Sequence, residues 1–200
     1  MHVGTSVWEA SLVFAKWLEK NHENDECELS GSKVAGKRAV ELGAGCGIAG
    51  MAMALLGCDV TATDIQPVLP ILKRNLKRNL NSLSEAYKSS FSAPGKLKPV
   101  QLYWGNDKHI CSAKPPFDFV IVTDVVYIEG DVERLISTMA AVSDKKTTLV
   151  LGYRLRQQEA HDKFWSLLPY TFMIVRKVKM EELHKDFSFD GVDLYVLRLK

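Results

Sequence analysis

The stretch Glu41–Gly50, "ELGAGCGIAG", follows the strand-like run "GKRAV" and places four glycines in eight positions, Gly43, Gly45, Gly47 and Gly50. Two patterns overlap in it. From Gly45 the spacing is G-x-G-x-x-G, the dinucleotide pattern; from Gly43 it is Gly-x-Gly-x-Gly preceded by an acid, Glu41. Either pattern at the junction of a strand and a helix lets backbone approach a ligand and turns the amide N–H groups of a helix start toward it. Glycine alone leaves open that the turn is merely tightly packed.

The residues after the loop narrow the ligand. Asp64 closes the next strand-like run, "DVTATD", seventeen residues beyond Gly47, where a carboxylate accepts hydrogen bonds from both hydroxyls of a ribose. An adenosine without a ribose phosphate fits that acid. A pyrophosphate wants unopposed N–H dipoles, whereas a sulfonium carrying an amino-acid tail wants carboxylates or carbonyls, and Glu41 supplies an acid there. The pattern therefore favours S-adenosylmethionine (SAM) over a nicotinamide cofactor, with capping of a neighbouring helix as the other use of Glu41.

Working outward, five short β-branched or aromatic runs read as buried strands: "RAVELG", "DVTATD", "PVQLYW", "FDFVIVTD" and "TTLVLGY". Helical patterns alternate with them. "IAGMAMALLG" is rich in helix formers, and "PVLPILKRNLKRNLNSL" sets Ile71 or Leu72, Leu76, Leu80 and Leu83 on one stripe beside a basic face. "GDVERLISTMAAVS" and "RQQEAHDKFWSLL" continue the alternation, which predicts βαβ units and a mostly parallel sheet. "SEAYKSSFSAPGKLK" reads as a surface loop before the third strand. Near the C-terminus, "YTFMIVRKVK" and "GVDLYVLRLK" are separated by "MEELHKDFSFD", too short for a crossover helix, so the last strand is predicted to run antiparallel.

Composition agrees with one soluble domain over residues 1–200: 46% of residues are hydrophobic and 25% charged, and no apolar run is long enough to span a bilayer. The N-terminus has no secretory pattern, which predicts an intracellular protein. Cys27, Cys46, Cys58 and Cys111 form no C-x-x-C pair and have no histidine at zinc-ligand spacing, so neither a disulfide framework nor a metal site is expected. A net charge of +2 does not call for nucleic acid or a membrane as partner.

"VELGAGCG" and "ATD" resemble the first two motifs of the class I, seven-strand SAM-dependent methyltransferases. "VWEASLVFAKWLE", "LYWGN" and "DVVY" narrow the resemblance to the non-histone protein lysine methyltransferases of the methyltransferase-like 21 type, whose Asp/Glu-x-x-Tyr motif matches Asp124–Tyr127. The resemblance implies an α/β, Rossmann-like three-layer sandwich: a mostly parallel seven-stranded sheet with an antiparallel C-terminal strand. It implies SAM as cofactor and S-adenosylhomocysteine (SAH) as product. Gly43, Gly45, Gly47, Glu41, Asp64, Trp8, Trp104 and Thr123 would lie on the cofactor side, and Asp124 and Tyr127 at the acceptor. Asn106 and Asp107 are further candidates for the adenine amino group. For Trp8 and Trp104 core packing is the alternative, for Tyr127 packing under the next helix, and for Asp124 a helix cap or a paired acid.

The partner implied is a protein substrate, such as a chaperone, an AAA ATPase or a translation factor, met by a monomer in the cytoplasm and also in the nucleus. Asp124 is expected to orient the acceptor amine, with water removing the proton. Family members carry a strand pair ahead of the first helix, and with six residues before Val7 part of the substrate groove is expected to be missing. Acceptors other than lysine (a histidine, a protein N-terminus, a small amine) fit the cofactor motifs as well, and so does a cofactor-binding pseudoenzyme serving as an interaction module.

Overall fold

The computed structural model describes residues 4, 6–86 and 94–200, with only the backbone given for 80–86. Seven strands form one sheet: β1 (Arg38–Leu42), β2 (Asp59–Asp64), β3 (Leu97–Gln101), β4 (Phe119–Thr123), β5 (Thr148–Arg154), β6 (Phe172–Lys177) and β7 (Val192–Leu199). Their spatial order is β3-β2-β1-β4-β5-β7-β6. The first five run parallel; β7 lies antiparallel between β5 and β6. β4 is buried at all five positions, because a central parallel strand is covered on both faces.

The α-helices among the described residues are α1 (Glu9–Asn21), α2 (Gly31–Val34), α3 (Ile48–Leu55), α4 (Leu69–Ala86), α5 (Asp107–Ala113), α6 (Val132–Ala141) and α7 (Gln158–Thr171). They divide between the two faces of the sheet. Phe14, Trp17 and Leu18 of α1 and Met53 of α3 pack with Ala39, Ile121, Val150 and Leu194 on one face. Leu72 and Leu76 of α4 extend that layer over Ala62. On the other face Ile110, Leu135, Met139 and Phe164 of α5, α6 and α7 cover Val40, Leu42, Val120 and Leu151. This is the three-layer arrangement that the family resemblance implies, built on the βαβ units that the strand and helix alternation predicts.

Three local readings differ. β3 ends at Gln101, so Trp104 lies in the turn beyond it rather than in the strand. α7 continues through Pro169 to Thr171: a proline in the last turn has lost an N–H, but its φ suits a helix. α5 escaped the sequence reading, being only seven residues long and started by the Asn106 side chain, which accepts the N–H of His109 at 3.1 Å. The "SEAYKSSFSAPGKLK" loop is described only in part: α4 extends to Ala86, β3 begins at Leu97, and residues 87–93 lie outside the described residues, as do the side chains of Leu80 and Leu83.

The strand order reverses between β1 and β4. Chains leaving the carboxyl ends of these two neighbours diverge to opposite faces, which opens a crevice there.

Candidate active site

A cavity of about 370 Å³ occupies that crevice. Its floor is the glycine loop between β1 and α3. Gly43, Gly45 and Gly47 all take left-handed backbone conformations, with φ of 72°, 52° and 85°. Gly43 and Gly45 line the cavity, and a Cβ on Gly43 would stand 2.7 Å from Cγ1 of Val125 and 3.4 Å from the Trp104 ring. Gly47 is not on the wall. A Cβ there would meet Leu72 and Leu76 at 2.8 and 2.9 Å, so this glycine serves the packing of α3 against α4.

Asp64, at the end of β2, anchors the loop. Its Oδ2 accepts the N–H of Gly45 at 2.7 Å and its Oδ1 that of Ile65 at 2.7 Å. Each oxygen keeps a lone pair, and the residue lines the cavity. Burial raises the pKa of its carboxyl, against the lowering effect of those two N–H donors.

Glu41 does not reach the cavity. Its side chain points beneath α3, where Oε2 accepts the N–H of Gly50 at 3.0 Å, and only 1% of the residue is exposed. Full burial pushes its carboxyl up to about 8, with Asp64 adding to the rise and Gly50 opposing it. The sulfonium or amino-acid-tail contact expected of Glu41 is thus corrected to its alternative, the capping of a helix N-terminus from the strand below.

Thr123, Asp124, Val125 and Tyr127 enter the cavity from the end of β4. Asp124 has φ of 58°, uncommon outside glycine, and its N–H is held by the carbonyl of Gly152 at 2.8 Å. Its carboxylate already has a partner: Oδ1 accepts from Nε of Arg156 at 2.8 Å and Oδ2 from Nη2 at 2.6 Å, a two-point grip. Oδ2 also faces the N–H of Ala10 at 3.4 Å, in the first turn of α1, whose N-cap residue Trp8 makes no side-chain cap hydrogen bond. Asp124 is therefore a paired acid that also accepts the N–H of Ala10 at the start of α1, so both of its oxygens are engaged.

Arg156 extends the network. Its Nη2 donates to Glu9 at 2.5 Å, Arg154 meets the other oxygen of Glu9 at 2.9 Å, and the guanidinium carbon lies 4.5 Å from the centre of the Trp8 ring. The Asp124 contact raises the pKa of Arg156 above its already high value, and Arg156 in turn lowers that of Glu9. Trp8 lines the cavity, as do Tyr103 and Trp104 beyond β3. Asn106 and Asp107 instead start α5, and neither lines the cavity. Tyr127 faces the same space; burial first, then Asp64 and Asp131, raise the pKa of its phenol.

Sequence reasoning missed Arg156, Glu9 and Asp131. The signal for Arg156 was present in "YRLRQ", where alternation puts Arg154, the last residue of β5, and Arg156 just past it on one side, next to the strand that leads into Asp124.

Residues 1–170 match the family model described as "Lysine methyltransferase". The chain belongs to this family. Among curated relatives, the chain is 30% identical over 191 residues to Protein N-lysine methyltransferase METTL21A of Danio rerio, covering 94% of this chain and 74% of that protein. It is 28% identical over 185 residues to EEF1A lysine methyltransferase 3 of Xenopus tropicalis, covering 91% and 73%. Solved structures share the fold at low identity. Magnesium protoporphyrin IX methyltransferase of Synechocystis with bound SAM superposes with a TM-score of 0.58 at 16% identity, covering 96% of this chain and 80% of that one. A TehB-like SAM-dependent methyltransferase of Corynebacterium glutamicum gives 0.60 at 12%, covering 98% and 88%.

The cavity suits the family's cofactor. Two glycines offer backbone with no Cβ in the way, and Asp64, held rigid by two backbone N–H groups, faces inward with lone pairs to spare.

Proposed function

We propose that this lysine methyltransferase holds SAM against Gly43, Gly45 and Asp64, with Trp8, Trp104 and Thr123 closing around it, and admits a lysine side chain of a non-histone protein past Tyr127 and Asp124. The observation that carries the reading is the single cavity in which the Asp64-anchored glycine loop and the "DVVY" segment after β4 meet. When bound, SAM supplies an activated methyl, whose bond to sulfur breaks as the bond to the amine nitrogen forms, leaving SAH.

The chain's own work is alignment and desolvation. A lysine of ordinary pKa, about 10.4, is neutral in roughly one molecule in a few thousand at pH 7, a deficit of about 4–5 kcal/mol. Apolar walls such as Val125 and Ile128 disfavour the charged ammonium as it enters. The raised pKa of Tyr127 keeps its hydroxyl protonated and able to hydrogen-bond, so water takes the amine proton.

The relatives support a protein acceptor, and the name of the Xenopus relative favours a translation factor; a chaperone or an AAA ATPase is an alternative acceptor in this proposal. We infer that one catalytic domain acts as a monomer, in cytoplasm and nucleus, with a protein rather than a nucleic acid as partner; separately, no helix among the described residues is long and apolar enough to cross a membrane. The test is incubation with tritiated SAM and cell extract, followed by mass spectrometry of the labelled band. Label on a lysine supports the proposal. Label on a histidine or an N-terminus reassigns the acceptor, and SAH binding without any transfer marks an interaction module.

A further inference from the structure

The carboxylate beside the acceptor poses a problem of charge. A bare Asp124 would stabilise the ammonium form of an incoming lysine and so hold it in the state that cannot react. In this structure Asp124 is not bare: the Arg156 fork takes both of its oxygens, and Arg156 is further fixed by Glu9 and by the face of Trp8. We propose that Arg156 is a positioning residue of the transfer site that cancels the charge of Asp124, so that the acceptor amine meets a neutral ion pair and enters as the free base. The proposal rests on the acceptor reading of the cavity given above.

The other charged and titratable groups around Asp124 do not substitute for Arg156. Glu9, from α1, adds a negative charge, and Arg154, from the end of β5, is drawn to Glu9. Tyr127, after β4, stays protonated; Asp64, from β2, and Asp131, ahead of α6, are acids on the cavity wall, and Arg134 of α6 faces Asp131 at 3.4 Å. Cys46 lies on the same wall, its thiol pKa raised by burial. None of these groups is substituted in the variants below, so the formal charge around the acceptor changes only through Asp124 and Arg156. Asp124 follows the last residue of β4 and Arg156 lies two residues past β5, its neighbour in the sheet, so the acid in its left-handed conformation and the guanidinium meet at the same sheet edge.

The prediction has a sign. Arg156→Gln removes the cation, leaves an unbalanced carboxylate, raises the pKa of the bound acceptor and moves the rising limb of the kcat profile, which reports groups in the enzyme–substrate complex, to higher pH, by about 1–3 units. Arg156→Lys keeps the charge but loses the fork; its limb stays at the wild-type position at a reduced rate. Asp124→Asn leaves an unbalanced guanidinium and moves the limb to lower pH. The double variant Asp124→Asn/Arg156→Gln is neutral again, and its limb returns.

The acceptor probe is the extract band that the wild type labels from tritiated SAM, followed for all forms over about pH 6–10. Calorimetric SAH affinity and melting curves are measured on the same preparations. A limb that Arg156→Gln leaves unmoved overturns the proposal, because a purely structural role lowers the rate without shifting the profile. Should Arg156→Gln not fold, the downward shift of Asp124→Asn and its reversal in the double variant decide, and an unshifted Asp124→Asn overturns it. Failure of the underlying reading looks different: the wild type then labels no lysine or binds no SAH.

Discussion

Oε2 of Glu41 accepts the N–H of Gly50 at 3.0 Å and lies 2.5 Å from where a Cβ on Gly50 would stand. The fourth glycine of the loop is thus a space kept for an acid, and the acid is sealed under α3. Its pKa of about 8 lies above the ordinary 4.5, so the folded state binds the proton more tightly. The stability this gives is fully present below about pH 4.5 and is lost as the pH rises to about 8. Glu41→Gln, which cannot ionise, is expected to gain on the wild type across that window, by roughly 5–10 °C in Tm between pH 5 and pH 9. An offset in Tm that is the same at both pH values counts against a buried, protonating Glu41.

Asp64→Ala removes the anchor of the glycine loop as well as the proposed ribose acceptor. SAH affinity is expected to fall by about 1.5–3 kcal/mol, the scale of charge-assisted hydrogen bonds. Calorimetry on the folded variant checks this, and unchanged affinity removes Asp64 from the site.

Gly45 and Gly47 are two residues apart and should fail differently. Gly45→Val puts a branched side chain on the cavity floor at φ of 52° and is expected to weaken SAH binding at least about tenfold. Gly47→Ala collides with Leu72 and Leu76 and is expected to cost about 1–3 kcal/mol of stability while the folded molecules still bind. Thermal melts paired with SAH titrations separate the two, and a loss of affinity in Gly47→Ala with no loss of stability would refute the division.

Trp104 shares the cavity with Trp8, and SAH is expected to change the tryptophan fluorescence of the protein. In Trp104→Phe that change should shrink markedly. If it persists undiminished, the ring is not at the ligand.

Much of the fold could be read from local chemistry. β4 and β5 announced themselves as short, largely apolar runs because helices cover both faces, and the antiparallel β7 followed from a connection too short to cross the sheet. The glycine loop and Asp64 were legible for the same reason: turn, helix start and acid fall within one βαβ unit. Glu41 shows where this kind of reading stops. Strand alternation sets it on the face of Ala39, opposite Val40 and Leu42, but whether that face meets ligand or helix depends on how α3 settles. Asp124 raised the same difficulty over a longer range, since its partner lies 32 residues on, where no local pattern links them.

The position of β7 has a consequence for the nascent chain. β5 gains its second neighbour, and β6 its strand partner, only when Val192–Leu199 arrive. Until those residues leave the ribosome, one side of β5 carries unpaired N–H and C=O groups along an apolar strand, a template for wrong pairing. A chain stalled before Val192 holds the complete glycine loop, Asp64, Asp124 and Arg156, yet leaves β5 with an open edge, so the site's residues are all made before the sheet that carries them can close through β7.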